Sequence, residues 1–117
     1  MASTKQMAKL YARLLSAARA QQTIHYSDVA TIVGLDMSNP PDRDYLGQLL
    51  GDISTAEAEE GRPMLSVVVL HKGENTIGRG FQKLGSMLKR RLATDDDDSF
   101  LVRELQATFE IWNPDSP

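Results

Sequence analysis

The chain contains no cysteine, which removes disulfides, thiolate metal sites and thiol nucleophiles at once. Histidine is nearly absent as well. His25 and His71 stand apart, with no i, i+4 pair and no ligand cluster, so no metal site is expected. Long apolar runs are missing from the first twenty residues, where Lys5, Lys9, Arg13 and Arg19 interrupt the apolar positions. That stretch is therefore neither a signal peptide nor a membrane span, and the expected location is the cytoplasm, with no membrane partner. Ser66 sits in an apolar run without a G-x-S-x-G elbow and is expected to be a structural serine. Asp95 to Asp98 lacks the alternation and the glutamate of a calcium loop. The stretch from Gly73 to Gly80 has the glycine spacing of a phosphate-binding P-loop, but Arg79 and Gly80 stand where that loop needs lysine and a hydroxyl.

What the chain does have is enough apolar residue, 41% of 117, for one modest core, so residues 1–117 read as a single domain. Its net charge of −3 conceals four blocks: +4 over 1–26, −7 over 27–61, +6 over 62–92 and −6 over 93–117. Contact with a polyanion therefore has to come from one face.

The periodicity predicts a first helix opened by a Ser3–Gln6 capping box, with Met7, Leu10, Tyr11, Leu14 and Ala18 on its apolar side. Lys5, Lys9 and Arg13 share another side. A short β-rich stretch, Thr23 to Tyr26, leads to Ser27, the expected N-cap of a helix carrying Val29, Ala30, Ile32 and Val33 and stopped by Gly34. Asp36 to Pro41 is expected to be a loop. Asp42 is then expected to cap a third helix, with Leu46, Leu49, Leu50 and Ile53 inward, that stops at Gly61 and Pro63. Met64 to Leu70 is the strongest strand candidate. Thr76 to Gly80 suits either a returning strand or a glycine-rich loop. A fourth helix is expected from Phe81, with Leu84, Leu88 and Leu92 inward and Lys83, Lys89, Arg90 and Arg91 outward. Asp95 to Asp98 is expected to cap a last helix, with Leu101, Leu105, Phe109 and Trp112 on its apolar side, and to face the Lys89–Arg91 cluster.

The order helix, short strand, helix, helix, strand, wing predicts an α+β fold. It is winged-helix-like, a helix-turn-helix plus a small antiparallel β-wing over 3–92, with an extra C-terminal helix over 95–113. In such folds one helix lies in a DNA groove while the wing touches the backbone. Acidic Asp44 and Asp52 on the candidate recognition helix oppose phosphates, so patterning alone leaves DNA binding and protein binding open.

Thr23-Ile24-His25-Tyr26-Ser27-Asp28-Val29-Ala30 resembles the threonine-x-x-tyrosine-glycine-x-isoleucine-alanine stretch that opens the helix-turn-helix of alkylguanine-DNA alkyltransferases and of their non-catalytic relatives, the alkyltransferase-like proteins. Arg43 to Gly47 resembles that family's arginine-alanine-valine-glycine helix start, with one extra residue. Pro63-Met64-Leu65-Ser66-Val67-Val68 stands in the place of its proline-cysteine-histidine-arginine-valine-valine strand, and Gly78-Arg79-Gly80-Phe81 in that of its glycine-rich loop. The likeness spans about residues 8 to 92. It implies a DNA-binding scaffold, yet the reactive cysteine and its histidine read Met64 and Leu65, and neither side chain can supply a thiolate or accept a proton. Alkyl transfer is thereby excluded. The expectation is a non-enzymatic domain with no catalytic residue and no cofactor, binding double-stranded DNA. Arg43, Tyr45 and Gln48 are the groove-side candidates, with Tyr26 and Ser27 at the start of the helix pair, and Lys72, Arg79 and Lys83 the backbone contacts. The alternative is a protein-interaction or homodimerisation module on the same fold.

Overall fold

The computed structural model describes residues 4–70 and 79–115. In chain order they form α1 (Thr4–Arg19), β1 (Ile24–His25), α2 (Tyr26–Ile32), α3 (Pro40–Glu59), a 3-10 turn (Leu65–Val68), β2 (Val69–Leu70), α4 (Arg79–Met87) and α5 (Asp97–Ile111). Helices dominate. The one sheet among the described residues pairs β1 with β2 in parallel, Ile24 opposite Val69 and His25 opposite Leu70. The α+β class stands at this coarse level, but the described strands are not the expected antiparallel pair. Parallel pairing requires a long crossover, and α2 and α3 together supply it. The returning strand expected at Thr76 to Gly80 falls outside the described residues up to Gly78, and Arg79 and Gly80 already belong to α4.

Leu10, Leu14, Ala17 and Ala18 bury one stripe of α1, as the helical spacing predicts. Ser3, the expected cap, lies outside the described residues. The α2 helix begins two residues earlier than expected, with His25 rather than Ser27 at the N-cap and no side-chain cap bond. The α3 helix begins at Pro40, not after Pro41, with Asn39 at its N-cap. Proline is tolerated there because the first amides of a helix have no intrahelical partner to lose. Asp42 is thus inside the first turn, and its carboxylate accepts the Asp36 N–H at 2.9 Å.

Four helix ends share one closing geometry. Gly34 (φ 75°) and Gly61 (φ 76°) end α2 and α3 as expected, and Gln21 (φ 59°) and Lys89 (φ 61°) play the same part after α1 and α4. In each case the next amide bonds the carbonyl five residues back: Gln22 to Ala17, Leu35 to Ala30, Arg62 to Glu57 and Arg90 to Gly85. Gln21 offsets its unfavourable backbone by donating its amide to the carbonyls of Ala18 and Phe109.

The stretch from Met64 is a strand only at its last two residues. Met64, Leu65, Val67 and Val68 are fully buried, and an apolar run with no exposed face carries no period that separates strand from helical turn. The α4 helix stops at Met87, so Leu84 and Leu88 pack on the core while Leu92, expected inward, is 56% exposed. On α5 the fully buried stripe is Phe100, Glu104 and Thr108, while the expected Leu101, Leu105, Phe109 and Trp112 are only partly buried. Phe100 stacks against Phe81, ring centroids 5.5 Å apart, and reaches across Gly85.

A Cβ added at Gly85 would stand 2.6 Å from two ring atoms of Phe100, whose side chain is wholly enclosed. Gly85→Ala gains about 1 kcal/mol of helix propensity but overpacks the core by about 1–3 kcal/mol. Urea unfolding is expected to record a net loss of stability, partly restored by Phe100→Leu in the same chain.

Candidate nucleic-acid interface

A patch that binds phosphate needs cations with no other partner. The block from Arg62 to Leu92 supplies most of the chain's surplus positive charge, and the structure commits much of it internally. Arg62 donates through Nε to Glu57 Oε2 at 2.5 Å, and Glu57 is 2% exposed. The same carboxylate accepts the Tyr11 hydroxyl at 2.7 Å. Burial, and then the bond to Glu57, raises the Tyr11 pKa above the ordinary phenol value. The Arg62 guanidinium also lies over the Trp112 ring, 5.9 Å from its centroid.

Arg90 is held more tightly. Its Nη2 donates to Glu104 Oε1 at 2.8 Å and its Nε to Oε2 at 3.0 Å, and Glu104 is 1% exposed. Glu104 also accepts the backbone N–H of Met64 at 2.9 Å. These two buried glutamates escape a reading by hydrophobic pattern, yet both fall at helical spacing on apolar faces: Glu57 follows Ile53 by four residues and Glu104 follows Phe100 by four. A carboxylate in such a place signals an arginine partner nearby.

The acidic turn before α5 takes two more arginines. Arg91 pairs with Asp97 at 2.8 Å, and Arg103 grips Asp95 through both carboxylate oxygens at 2.8 and 2.7 Å. Hydrogen bonding from Arg103, and then from the Leu92 amide, lowers the Asp95 pKa to about 2. Asp96 caps α5 through the Ser99 N–H at 2.7 Å, which holds its carboxyl below the ordinary range. The expected roles of this turn, capping the helix and facing the basic cluster, both hold. Arg90 and Arg91 do not point outward as expected, because the left-handed Lys89 turns the chain back over α4.

The helix pair stays open to solvent on one side. Arg43 and Gln48 are exposed on α3, beside exposed Asp44 and Asp52. The Tyr26 hydroxyl donates to the Arg43 carbonyl at 3.3 Å, tying the start of α2 to the start of α3. Burial, and then the Asp44 charge, raises the Tyr26 pKa. Ser27 is half-buried, and its carbonyl accepts the Thr31 hydroxyl. Tyr45 turns the other way: its ring packs on the core and its hydroxyl donates to Gln6, whose amide reaches the Val33 carbonyl. Lys83 is exposed on α4. Its neighbour Leu84 packs against α3 at Gly51. Lys72 lies outside the described residues, and Arg79 is placed only as the first residue of α4.

At the positions where the alkyltransferase resemblance puts reactive groups, Met64 and Leu65 are fully enclosed, and the Ser66 hydroxyl shares a 2.7 Å bond with Ser54. Among the described residues no group of three metal-ligating side chains occurs, and no helix is long and apolar enough to cross a membrane. No family model, curated protein or solved structure matches the chain.

The two adjacent arginines should behave differently. Arg90→Ala strands the buried Glu104 carboxylate and is expected to cost about 3–5 kcal/mol in denaturant unfolding. Arg91→Ala removes a partner from Asp97, whose side chain is 71% exposed, and should cost under about 1 kcal/mol. The depressed Asp95 carboxyl sets an acid limit: its contribution is whole above the ordinary pKa of 3.8 and is lost as pH falls through about 2. Thermal melts from pH 5 to 2 should therefore fall less steeply for Asp95→Asn than for the natural chain.

Proposed function

We propose that this chain is a non-catalytic, winged-helix-like DNA-binding domain, alkyltransferase-like in scaffold but without alkyl-transfer chemistry, working in the cytoplasm. The observation that carries the reading is the α2–turn–α3 pair, braced by Tyr26 on the Arg43 carbonyl and by Tyr45 on α1. That bracing leaves Arg43 and Gln48 on an exposed helix face, and Lys83 is exposed on α4, which packs on α3 through Leu84. Arginine and glutamine both make two-point contacts to base edges, and lysine suits the phosphates. Tyr26 and Ser27 then line the entry to the groove, and Lys72 and Arg79 are the further backbone contacts.

Arg62, Arg90 and Arg91, three of the seven cations in the 62–92 block, already have carboxylate partners. Binding is therefore weak and involves few released counterions. Exposed Asp44 and Asp52 flank Gln48 and support a second reading, a surface that docks a basic protein partner or a second copy of the chain.

Salt titration of binding to mixed-sequence duplex DNA separates the two readings. With four proposed phosphate or base contacts from cations (Arg43, Lys72, Arg79 and Lys83), log affinity against log salt should have a slope no steeper than about −4. Arg43→Ala combined with Gln48→Ala should weaken binding. No retention of DNA at low salt would remove the first reading in favour of the second.

A further inference from the structure

We infer that Asp97 acts as an internal anion that occupies Arg91 and withholds it from nucleic-acid phosphate, so that the Arg91–Asp97 pair sets the affinity of the DNA-binding face. This rests on the DNA-binding reading and concerns how that same face is restrained. Arg91 and Arg90 are similarly enclosed, their side chains 22% and 27% exposed, and they differ in the carboxylate each one meets. Arg91 Nε donates to Gln82 Oε1 at 3.0 Å, and its Nη2 to the Asp95 carbonyl at 3.1 Å and to Asp97 at 2.8 Å. Gln82 is the chain neighbour of Lys83 and returns a bond from its amide to the Asp97 carbonyl at 3.3 Å. The guanidinium is thus anchored to Gln82 of α4, the helix that also carries the lysine proposed to contact the DNA backbone, and it is preorganised by two groups that carry no charge.

The difference in exposure between the two carboxylates decides which arginine is exchangeable. Glu104, paired with Arg90, is 1% exposed, and separating that pair leaves an unsolvated charge. Asp97 is 71% exposed, so water solvates it as soon as Arg91 leaves, and a pair of that kind contributes little. Asp97 also sits in the first turn of α5, where the helix dipole favours a carboxylate with or without its arginine. A phosphate diester offers the guanidinium the same charge-assisted two-point geometry as a carboxylate. Exchange of Asp97 for phosphate is therefore close to balanced, and removing the Asp97 charge tips it toward DNA.

The test uses the full chain and a fluorescently labelled mixed-sequence duplex, with anisotropy read across a salt series. Asp97→Asn is expected to bind several-fold tighter at low salt, with a salt slope steeper by about one. Asp98→Asn makes the same change in net charge at a carboxylate that has no ion pair among the described residues, and should gain clearly less. Arg91→Ala in the Asp97→Asn chain should abolish the gain. Equal gains for Asp97→Asn and Asp98→Asn, or a gain that survives Arg91→Ala, would overturn the inference. So would a natural chain that binds DNA with an affinity Asp97→Asn leaves unchanged, and that result spares the DNA reading. Failure of both chains to bind at low salt overturns the DNA reading, and this inference with it. Trp112 fluorescence reports whether α5 stays docked in each variant.

Discussion

A carboxylate removed from water must find charge and hydrogen bonds inside the protein, and Glu104 imposes that requirement on half of the fold. It joins three segments distant in sequence: α5, which carries it, the backbone at Met64, and the turn after α4 that delivers Arg90. The left-handed backbone at Lys89 exists to make that delivery, and Gly85 must lack a side chain so that Phe100, one turn before Glu104, can close the same seam. Glu57 does similar work across the molecule, drawing α1 through Tyr11 and the start of the 62–70 segment through Arg62. Two buried glutamates thus hold together what a small aliphatic core would hold less specifically. Transfer of such ions out of water costs several kcal/mol each, so the pairs fix geometry more than they add stability.

Much of the fold was legible in sequence where one face is dry and the other wet. The α1 stripe, the apolar face of α3 and the glycine stops at Gly34 and Gly61 follow from periodicity and backbone sterics. Legibility failed where that contrast vanished. Met64 to Val68 is apolar throughout and packed on every side, so its 3-10 turn leaves no pattern distinct from a strand. On α5 the innermost face contains a glutamate and a threonine, and a hydrophobic pattern selects the flanking leucines instead. The proline pair at 40–41 opens a helix that a rule about helix interiors places three residues too late. Of the candidate site, Arg43, Gln48 and Lys83 were readable as exposed polar groups. The inward turn of Tyr45 depends on Gln6, thirty-nine positions away, and no local signal carries it.

The charge pattern changes meaning in three dimensions. A block of +6 followed by one of −6 suggests a two-sided surface, yet the structure folds the blocks onto each other. Arg90 goes to Glu104, Arg91 to Asp97, and Arg103 to Asp95 within the acidic block itself. What reaches solvent near α3 is sparse and mixed in sign. A surface of that kind offers a polyanion a few placed side chains rather than a field. The Met64–Leu65–Ser66 stretch completes the contrast with a reactive scaffold, since all three residues are buried and the one hydroxyl is spent on Ser54.

The claim on which this account stands is that Glu104 locks α5 and the Met64 segment into one cooperative unit. Native-state hydrogen exchange at the Met64 amide, compared with the core amides of α1 at Leu10 and Leu14, tests it directly. The account predicts that Met64 exchanges only through global opening, with protection equal to that of α1, and that Glu104→Gln lowers its protection selectively. Fast exchange at Met64 and along α5 while α1 stays protected would contradict it, and would make α5 an appendage on a core that folds without it.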